Sequence, residues 1–344
     1  MMQDSTKGGF SLARGFVVLT MPAIHSALFY SEPVVKEGIL GHILGFLAET
    51  AGAPVFMVLM GVFVAYSRPK QVKTIISRGV VLILLGYILN SLKFVIPGLL
   101  GWLPETFILD NGLIKDEYLF QLFGLVDILH FAGFAYIICC LVKKFIIVKT
   151  IQLLFILLVL AITPIVWSFS ENVPYWGLFL GGEPPLAYFP FFPWLVYPLS
   201  GLLLGQIIKD MLPKRVVLVL VICAVVCISI GGLIYRVEPA GWNLNFYRLG
   251  IGGTLAHIGF VLMWLSFFIL LRNFIKDNLV FSLLQWLSSH VTIVYFIQWV
   301  VVCWLLPLWG YNSLSLPLSL LSIAVVTTLS FLFSRLFLRY FGNY

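Results

Sequence analysis

VVLVLVICAVVCISIGGLIY, residues 216–235, contains no charged side chain across 20 positions. A helix of about this length spans the hydrocarbon core of a bilayer, whereas membrane β-strands alternate apolar and polar residues over about ten positions. Hydrocarbon offers no hydrogen-bond partners, so a segment buried in it must satisfy its own backbone groups, as a helix does. The stretch therefore predicts a transmembrane helix.

The composition of the whole chain leads to the same prediction. Of 344 residues, 61% are hydrophobic and 10% are charged, whereas soluble domains carry about 25% charged residues. A water-soluble fold of this size would have too few polar residues to cover its surface. The net charge of +7 does not indicate a nucleic-acid partner, because the basic residues lie at the ends of apolar runs, where membrane topology explains them. The partner that the composition predicts is the lipid bilayer.

Other apolar runs resemble residues 216–235 in length, so we predict an all-α, polytopic transmembrane helical bundle of about ten spans in a single domain, residues 1–344. The second run is long and is interrupted by Gly52 and Pro54. In chain order, the predicted spans are Phe10–Tyr30, Gly38–Tyr66, Val72–Val95, Tyr118–Val142, Phe145–Trp167, Tyr188–Ile208, Val216–Tyr235, Leu249–Leu271, Phe281–Leu306 and Leu316–Leu338.

The basic residues orient these spans. Of the 21 Lys and Arg residues, 16 fall on the side of the N-terminus and 5 on the opposite side. Cytoplasmic loops carry an excess of Lys and Arg, so we expect both termini to be cytoplasmic and the long connections, 96–117, 168–187 and 236–248, to lie outside. The predicted localisation is the cell inner (cytoplasmic) membrane, as a multi-pass protein.

Five histidines and two carboxylates lie within the spans, in the middle or outer half of the bilayer. Such groups are costly in lipid and usually functional, so we expect them to line a shared polar cavity. Separate hydrogen bonds between helices are the alternative. The seven residues are His25, His42, Glu49, Asp127, His130, His257 and His290.

Asp127 and His130 are a candidate acid–base pair. They are three residues apart and therefore share a face of the predicted fourth span. A carboxylate beside an imidazole orients its tautomer, which prepares a histidine to act as a general base.

Arg14 and Arg78 lie near the cytoplasmic ends of the first and third spans. Each is either a topology marker whose charge reaches the headgroups or an anchor for the phosphates of a ligand. The outer loop that ends at Trp194 is rich in proline and aromatic residues; it is either part of an interfacial aromatic belt or a mouth whose rings contact a sugar. The five cysteines lack metal-ligand spacing to a histidine, so no metal site is predicted.

Several of these residues belong to motifs of a known family. Arg14-Gly15, with His25 in the same helix, resembles the first span of the integral-membrane acyltransferase superfamily, which includes polysaccharide O-acyltransferases and bacterial relatives of heparan-α-glucosaminide N-acetyltransferase. Later stretches resemble further spans of that family in the same order: PVFMVLMG (54–61), DILHFAG (127–133), YFPFFPW (188–194) followed by Gly201 and Gly205, and SHVTIVY (289–295). The chain differs from the family pattern at Gln298, where histidine is frequent, and at Ala187, where an acidic residue is frequent.

The resemblance implies transfer of an acyl group, usually acetyl from cytoplasmic acetyl-CoA or from another acyl-CoA, to a sugar or glycan acceptor at the far side, without a metal. His25 is the main catalytic candidate, as a general base or as a nucleophile that forms an acyl-imidazole. His42 is the runner-up, because heparan-type enzymes place a catalytic histidine between the motifs of the first two spans. The other candidates are His130 and Asp127 for catalysis, Arg14 and Arg78 for CoA, and Glu49, His257, His290, Gln298 and Trp194 for the acceptor.

Two other functions fit parts of the pattern. A transporter or flippase without covalent chemistry would also need a polar cavity at the midplane and broken helices, although no inverted repeat is visible. A non-catalytic membrane scaffold is favoured if the histidines are dispersed. The sequence leaves open the acceptor, the acyl length and the oligomeric state, for which a homodimer is one candidate.

Overall fold

The computed structural model describes residues 4–170, 173, 176–243, 245–275 and 278–342. Within these residues the regular structure is helical, and the extended pairings are two isolated β-bridges, Ser31–Leu314 and Val126–Ala187. The prediction of an all-α chain is confirmed.

Long helices alternate with short ones along the chain. In chain order the α-helices are α1 Asp4–Tyr30, α2 Pro33–Lys36, α3 Ile39–Ala51, α4 Ala53–Tyr66, α5 Val72–Asn90, α6 Ile96–Leu99, α7 Glu105–Asp110, α8 Tyr118–Phe123, α9 Ile128–Phe145, α10 Lys149–Ser170, α11 Trp176–Gly181, α12 Phe191–Trp194, α13 Val196–Ile207, α14 Pro213–Tyr235, α15 Ile251–Phe274, α16 Leu279–Ser289, α17 Val291–Trp304, α18 Leu306–Trp309 and α19 Leu316–Phe341. A π-helix, Ser91–Val95, continues α5 into α6, and a 3₁₀-helix covers Ala240–Asn243.

Eight helical segments of the described chain are long and apolar enough to cross a membrane, and α16 with α17 makes a ninth if the bent pair is one span. A shorter apolar helix, Phe191–Ile207, occupies the position of the predicted sixth span. The prediction of a polytopic transmembrane protein is confirmed. The cytoplasmic placement of both termini stays a prediction.

Two predicted spans are not continuous helices. Span four, predicted as Tyr118–Val142, is divided into α8 and α9 by residues 124–127. Span nine, predicted as Phe281–Leu306, bends by 86° between α16 and α17. Both predictions of an unbroken helix were wrong, because the residues on the two sides of each break are equally apolar. The interruption expected at Gly52 is present, between α3 and α4.

The chain groups into two compact units. The first unit comprises Met1–Ala13, Ala53–Gly86 and Leu125–Lys276. The second unit comprises Arg14–Gly52, Tyr87–Gly124 and Asp277–Tyr344. A single domain over residues 1–344 stays a prediction.

In the first unit, α4 and α13 cross with their backbones in close contact. A Cβ atom at Gly201 would overlap the carbonyl oxygen of Val58, and one at Gly61 would overlap the carbonyl oxygen of Pro198. Small residues allow this approach between membrane helices, whose association depends on van der Waals packing. Both glycines belong to the family-like motifs, so part of each motif serves the helix crossing.

In the second unit, the C-terminal end of α1 is tied to α17 and α19. The hydroxyl of Tyr30 donates to the carbonyl oxygen of Val302, and the hydroxyl of Ser31 donates to the hydroxyl of Ser319 at 2.8 Å. These bonds connect the first span to helices near the C-terminus. They also help to set the position of His25, five residues before Tyr30, relative to α17.

Gly201→Ala should destabilise the protein. The added methyl group overlaps backbone atoms that cannot turn aside, and overpacking of this kind costs about 1–3 kcal/mol. The thermal unfolding midpoint in detergent should therefore fall. Gly232→Ala is the matched control, because a Cβ atom at this position of α14 meets nothing within 4 Å. Equal midpoints for the two variants would contradict the close crossing of α4 and α13.

Candidate functional site

His25 lies on α1 in the second unit, against α17. Its Nδ1 atom is 2.7 Å from the amide nitrogen of Gln298. Its ring stacks on the indole of Trp299, with 4.1 Å between ring centroids, and the ring of Tyr295 approaches edge-on at 6.4 Å. Gln298 and Trp299 follow Tyr295 on α17 by three and four positions, so the three side chains present a common surface. The imidazole is therefore held at one nitrogen and on one face.

Gln298 can hold either neutral tautomer of His25. When its amide N–H faces the ring, Nδ1 accepts and the ring proton is on Nε2. When a half-turn brings the amide oxygen to the ring, Nδ1–H donates and Nε2 has the lone pair that a base needs. Gln298 is 0% exposed, and within the described part of the chain its Oε1 has no hydrogen-bond partner. A polar atom of a ligand would complete the hydrogen bonding of this side chain.

Arg14 lies on the same helix, eleven residues before His25, which corresponds to about 16 Å along the axis. Its Nε atom donates to the buried hydroxyl of Ser288 at 2.8 Å. The backbones of α1 and α16 touch at Gly15, where a Cβ atom would overlap the carbonyl oxygen of Leu284. Since α1 begins six residues before the predicted span, Arg14 lies about three turns into the helix. One helix thus presents a guanidinium to α16 and an imidazole to α17.

His290 lies at the bend between α16 and α17. Its Nδ1 atom is 2.8 Å from the carbonyl oxygen of Trp286, and the two rings are 5.1 Å apart. Arg335 of α19 approaches the same indole at 5.2 Å. His290 therefore lies at a bend and not inside a straight ninth span. The residue marks the break between the helix that contacts Arg14 and the helix that contacts His25.

An aromatic cluster connects Trp299 with Tyr311, beyond the end of α18. The centroid of the Phe29 ring lies 5.6 Å from that of Trp299 and 5.7 Å from that of Phe107. The centroids of Phe107 and Tyr311 are 5.4 Å apart. At the far end, the ammonium of Lys36 is 5.9 Å from the Tyr311 ring. Burial lowers the pKa of Lys36, and a nearby carboxylate opposes that shift. The cluster packs the side of the site on which Trp299 stands.

Three residues of this site are not among the sequence candidates. Tyr295 and Trp299 surround His25, and Lys93 places its Nζ atom 4.8 Å from the centroid of the Trp299 ring. Lys93 is one of the five basic residues that the predicted orientation places on the outer side of the membrane, but it is 2% exposed, inside the π-helix. Its position within the predicted third span was the available signal. Tyr295 is the last residue of the family-like SHVTIVY stretch, which was a signal for it, whereas Trp299 gave none beyond its adjacency to Gln298.

His42 and Glu49 lie on an exposed stripe of α3, in the second unit. Seven positions separate them, so they share a helix face, together with the exposed ring of Phe46. The Nδ1 atom of His42 is 2.9 Å from the carbonyl oxygen of Gly38. His42 thus stands on an exposed helix face, whereas the ring of His25 is stacked and bonded to a side-chain amide.

Asp127 and His130 form a capping box at the start of α9, in the first unit. The carboxylate of Asp127 accepts from the N–H of Ile128 at 2.6 Å, and the N–H of Asp127 donates to Nδ1 of His130 at 3.3 Å. Both side chains are buried, and the His130 ring lies against Gly86 of α5. The predicted pairing on the face of a continuous span four was wrong, because Asp127 precedes the helix. The backbone contact fixes the tautomer of His130 with its proton on Nε2.

His257 and Trp194 belong to a buried aromatic cluster of the first unit. The Nδ1 atom of His257 is 2.9 Å from the hydroxyl of Tyr197, and the ring of Phe246 lies 5.5 Å from the imidazole. Trp194 is 1% exposed, and its Nε1–H donates to the carbonyl oxygen of Tyr247 at 2.8 Å. An indole buried to this extent holds the loop of Phe246 and Tyr247 in position.

Two of the family-like motifs meet where the proline-rich loop pairs with Val126. The N–H of Val126 donates to the carbonyl oxygen of Leu186 at 2.8 Å, and the N–H of Tyr188 donates back to Val126 at 3.0 Å. Ala187 lies between these two bonds. The DILHFAG and YFPFFPW stretches therefore adjoin each other in the first unit.

The ionisable candidates divide between the two units. In the second unit are Arg14, His25, His42, Glu49 and His290; in the first are Arg78, Asp127, His130 and His257. Arg78 is exposed on α5. A cavity shared by all seven residues of the spans stays a prediction. In the described ranges there is no group of three or more His, Cys, Asp or Glu placed to hold a metal ion.

An open cleft of about 490 Å³ lies in the first unit, beside loops predicted to be outside. Trp167 and Trp242 line it with nearly perpendicular rings 6.1 Å apart. Arg248 lies 4.6 Å over the ring of Trp167 and forms an ion pair with Glu183. The volume is within the range of small-molecule sites, about 300–1,000 Å³. Indole rings beside a charged pair suit a polar ligand with a ring.

The comparison with family models identifies the motifs. The model described as heparan-alpha-glucosaminide N-acetyltransferase, catalytic, matches residues 10–221, more than half of the chain. The match includes Arg14 and His25, whereas Gln298 and Trp299 lie beyond its end. No curated protein and no solved structure matches the chain.

Gln298→Leu should change the balance between the two neutral tautomers of His25. Leucine is similar in size but neither donates nor accepts, so Nδ1 loses the partner that the amide provides. In protein with isotopically labelled histidine, the nitrogen NMR resonances of His25 can be identified by their absence in His25→Asn. These resonances should shift in Gln298→Leu.

Gln285→Leu is the matched control for this experiment, because Gln285 is exposed on α16. It should leave the His25 resonances unchanged. If Gln298→Leu also leaves them unchanged, the amide does not hold the imidazole.

Proposed function

Since the chain belongs to the heparan-alpha-glucosaminide N-acetyltransferase catalytic family, we propose that this acetyltransferase-type membrane enzyme moves an acyl group from cytoplasmic acyl-CoA to a sugar or glycan acceptor. The acceptor is on the outer side of the cytoplasmic membrane, and acetyl-CoA is the expected donor. The observation that carries the proposal is the imidazole of His25, placed inside an apolar span and held by Gln298 and Trp299. An ionisable side chain at such a position is expensive and marks a functional site.

The proposed donor site follows α1 from Arg14 to His25. The guanidinium of Arg14 matches the geometry of phosphate oxygens, and the Ser288 hydroxyl beside it is a second polar group. The pantetheine arm of CoA would bridge the interval of about 16 Å and bring the thioester to the imidazole. Arg78 is proposed as a further contact for CoA, and its exposure makes it accessible to a phosphate.

The reaction proposed at His25 is acyl transfer from a thioester. The imidazole takes the proton of the acceptor hydroxyl or amine while the acceptor atom bonds to the acyl carbon. The carbon–sulfur bond then breaks, and the imidazolium returns the proton to the CoA thiolate. In the alternative route, a ring nitrogen bonds to the acyl carbon, the carbon–sulfur bond breaks, and the CoA thiolate leaves and takes the proton of the other ring nitrogen. The acceptor atom then bonds to the acyl carbon of the acyl-imidazole, the carbon–nitrogen bond breaks, and the released ring nitrogen takes the acceptor proton. Either route needs a neutral ring nitrogen in a fixed direction, which the contacts with Gln298 and Trp299 support.

The cleft in the first unit supports a glycan as the acceptor. The indoles of Trp167 and Trp242 offer apolar surfaces for the C–H face of a sugar ring, and the Arg248–Glu183 pair offers hydrogen-bonding groups for hydroxyls. The loops beside it are those proposed to be outside. Glu49, His257, His290 and Trp194 stay proposed contributors to acceptor binding, Trp194 through the loop that it positions.

His25→Ala should slow acyl transfer by roughly a hundredfold or more, because general-base groups typically contribute about 10²–10⁴-fold. The assay follows labelled acetyl from acetyl-CoA to candidate glycans and measures the release of free CoA in parallel. His42→Ala, assayed separately in protein shown to be folded, examines the second catalytic candidate.

Three outcomes would contradict the proposal. Full activity in His25→Ala with loss in His42→Ala would move the catalytic role to His42. Full activity in both variants would remove these histidines from the mechanism. Passage of the acceptor across the membrane without acylation would indicate a transporter or flippase.

Arg14→Gln should raise the KM for acetyl-CoA roughly tenfold or more with little change in kcat. The reason is that hydrogen bonds to charged groups contribute about 1.5–3 kcal/mol, and this one is needed for binding and not for the chemical step. Arg339→Gln, at an exposed position of α19, is the matched control and should leave KM unchanged. An unchanged KM in Arg14→Gln would leave Arg14 as a topology marker.

A further inference from the structure

A buried lysine lies in a π-helical segment beside the candidate site. Lys93 belongs to the π-helix that joins α5 to α6 within a continuous apolar segment, Val72–Leu99. Its side chain is 2% exposed. Single π-turns inside α-helices occur frequently at functional sites, and an ammonium in this environment is expensive to maintain. The position therefore calls for a function beyond membrane topology.

The π-helix is fastened to the helix that holds His25 in place. The indole N–H of Trp304, on α17, donates to the carbonyl oxygen of Leu92 at 2.8 Å. The neighbouring Lys93 places its ammonium 4.8 Å from the centroid of the Trp299 ring and 4.9 Å from that of Phe94. His25 stacks on the same Trp299 ring at 4.1 Å. The indole of Trp299, on α17, is thus contacted by an imidazole from α1 and by an ammonium from the π-helix.

Trp299 also has a hydrogen-bonding group to offer. Its side chain is 8% exposed, and among the residues that the structure describes its Nε1–H has no acceptor. A buried donor without a partner costs about 1–3 kcal/mol, so such a group needs an explanation. An oxygen atom of a ligand would supply the acceptor. The same ligand would lie beside the imidazole that stacks on this ring.

We propose that Lys93 and Trp299 form the oxyanion-binding part of the acyl-transfer site, an inference that rests on the proposed function. When the acceptor atom bonds to the thioester carbonyl carbon, the π electrons of that carbonyl move onto its oxygen. The ammonium of Lys93 and the Nε1–H of Trp299 stabilise the resulting negative charge. When the carbonyl reforms, the carbon–sulfur bond breaks and the thiolate leaves. Donors fixed in advance around a developing oxyanion usually contribute the largest single part of catalysis.

Lys93→Met tests the proposal, because methionine keeps a long flexible side chain and removes the charge. The loss of one oxyanion donor lowers kcat by about 10²–10³-fold. We expect such a fall in kcat, with a KM for acetyl-CoA that changes by less than about threefold. Lys93→Arg should recover part of the rate. Trp299→Phe, which keeps a ring for His25, should also lower kcat. Lys115→Met is the matched control, because Lys115 is exposed in the same unit.

A binding measurement separates this role from a structural one. The probe is the trifluoroacetonyl thioether of CoA, whose hydrated ketone imitates the tetrahedral intermediate. Lys93→Met should bind this analogue about 100-fold more weakly while it binds acetyl-CoA like the unaltered protein. If the affinities for both compounds fall equally, or if neither falls, the oxyanion role is wrong. If the unaltered protein neither binds acetyl-CoA nor transfers its acetyl group, the proposed function itself has failed, and this inference falls with it.

Discussion

Polar groups in the hydrocarbon of a bilayer must find their hydrogen-bond partners inside the protein. The helices meet this requirement for most of the backbone, but the side chains and the helix ends need partners elsewhere. His25 finds Gln298, Arg14 finds Ser288, and the end of α9 is closed by the side chain of Asp127. The first two pairs join residues more than 270 positions apart. The requirement that produces helices therefore also selects which helices meet.

The irregular places in the helices coincide with the candidate functional residues. His290 stands at the 86° bend between α16 and α17, Lys93 lies in the π-helix, and Asp127 ends the break before α9. Irregular backbone at membrane depth is tolerated where it is buried in protein or lines a cavity. A break costs backbone hydrogen bonds, and it redirects the next helix so that a polar side chain can reach a partner. At the bend, this redirection separates the helix beside Arg14 from the helix beside His25.

The sequence predicts the helical segments well, because the absence of charge over about 20 residues is a strong and local signal. The quoted stretch 216–235 lies within α14, Pro213–Tyr235. The breaks between helices were harder to predict, because the residues on both sides of each break are apolar. Asp127 was a local cue for the start of α9, since aspartate is favourable at a helix N-cap. His25 was recognised as a candidate from its cost in lipid. Its contact with Gln298 could not be derived, because a single sequence holds no information on which face of α1 meets which face of α17. Lys93 was not among the candidates, because the orientation argument counts each lysine as a topology marker on one side of the membrane.

The most direct measurement is a double-mutant cycle on the rate of acetyl transfer, with His25→Ala, Gln298→Leu and the two combined. The central claim is that Gln298 contributes to the reaction by holding the imidazole of His25. We therefore predict that the double variant is as slow as His25→Ala alone, because the amide has no function once the imidazole is absent. If the two losses multiply in the double variant, Gln298 acts independently of His25 and the claim is contradicted.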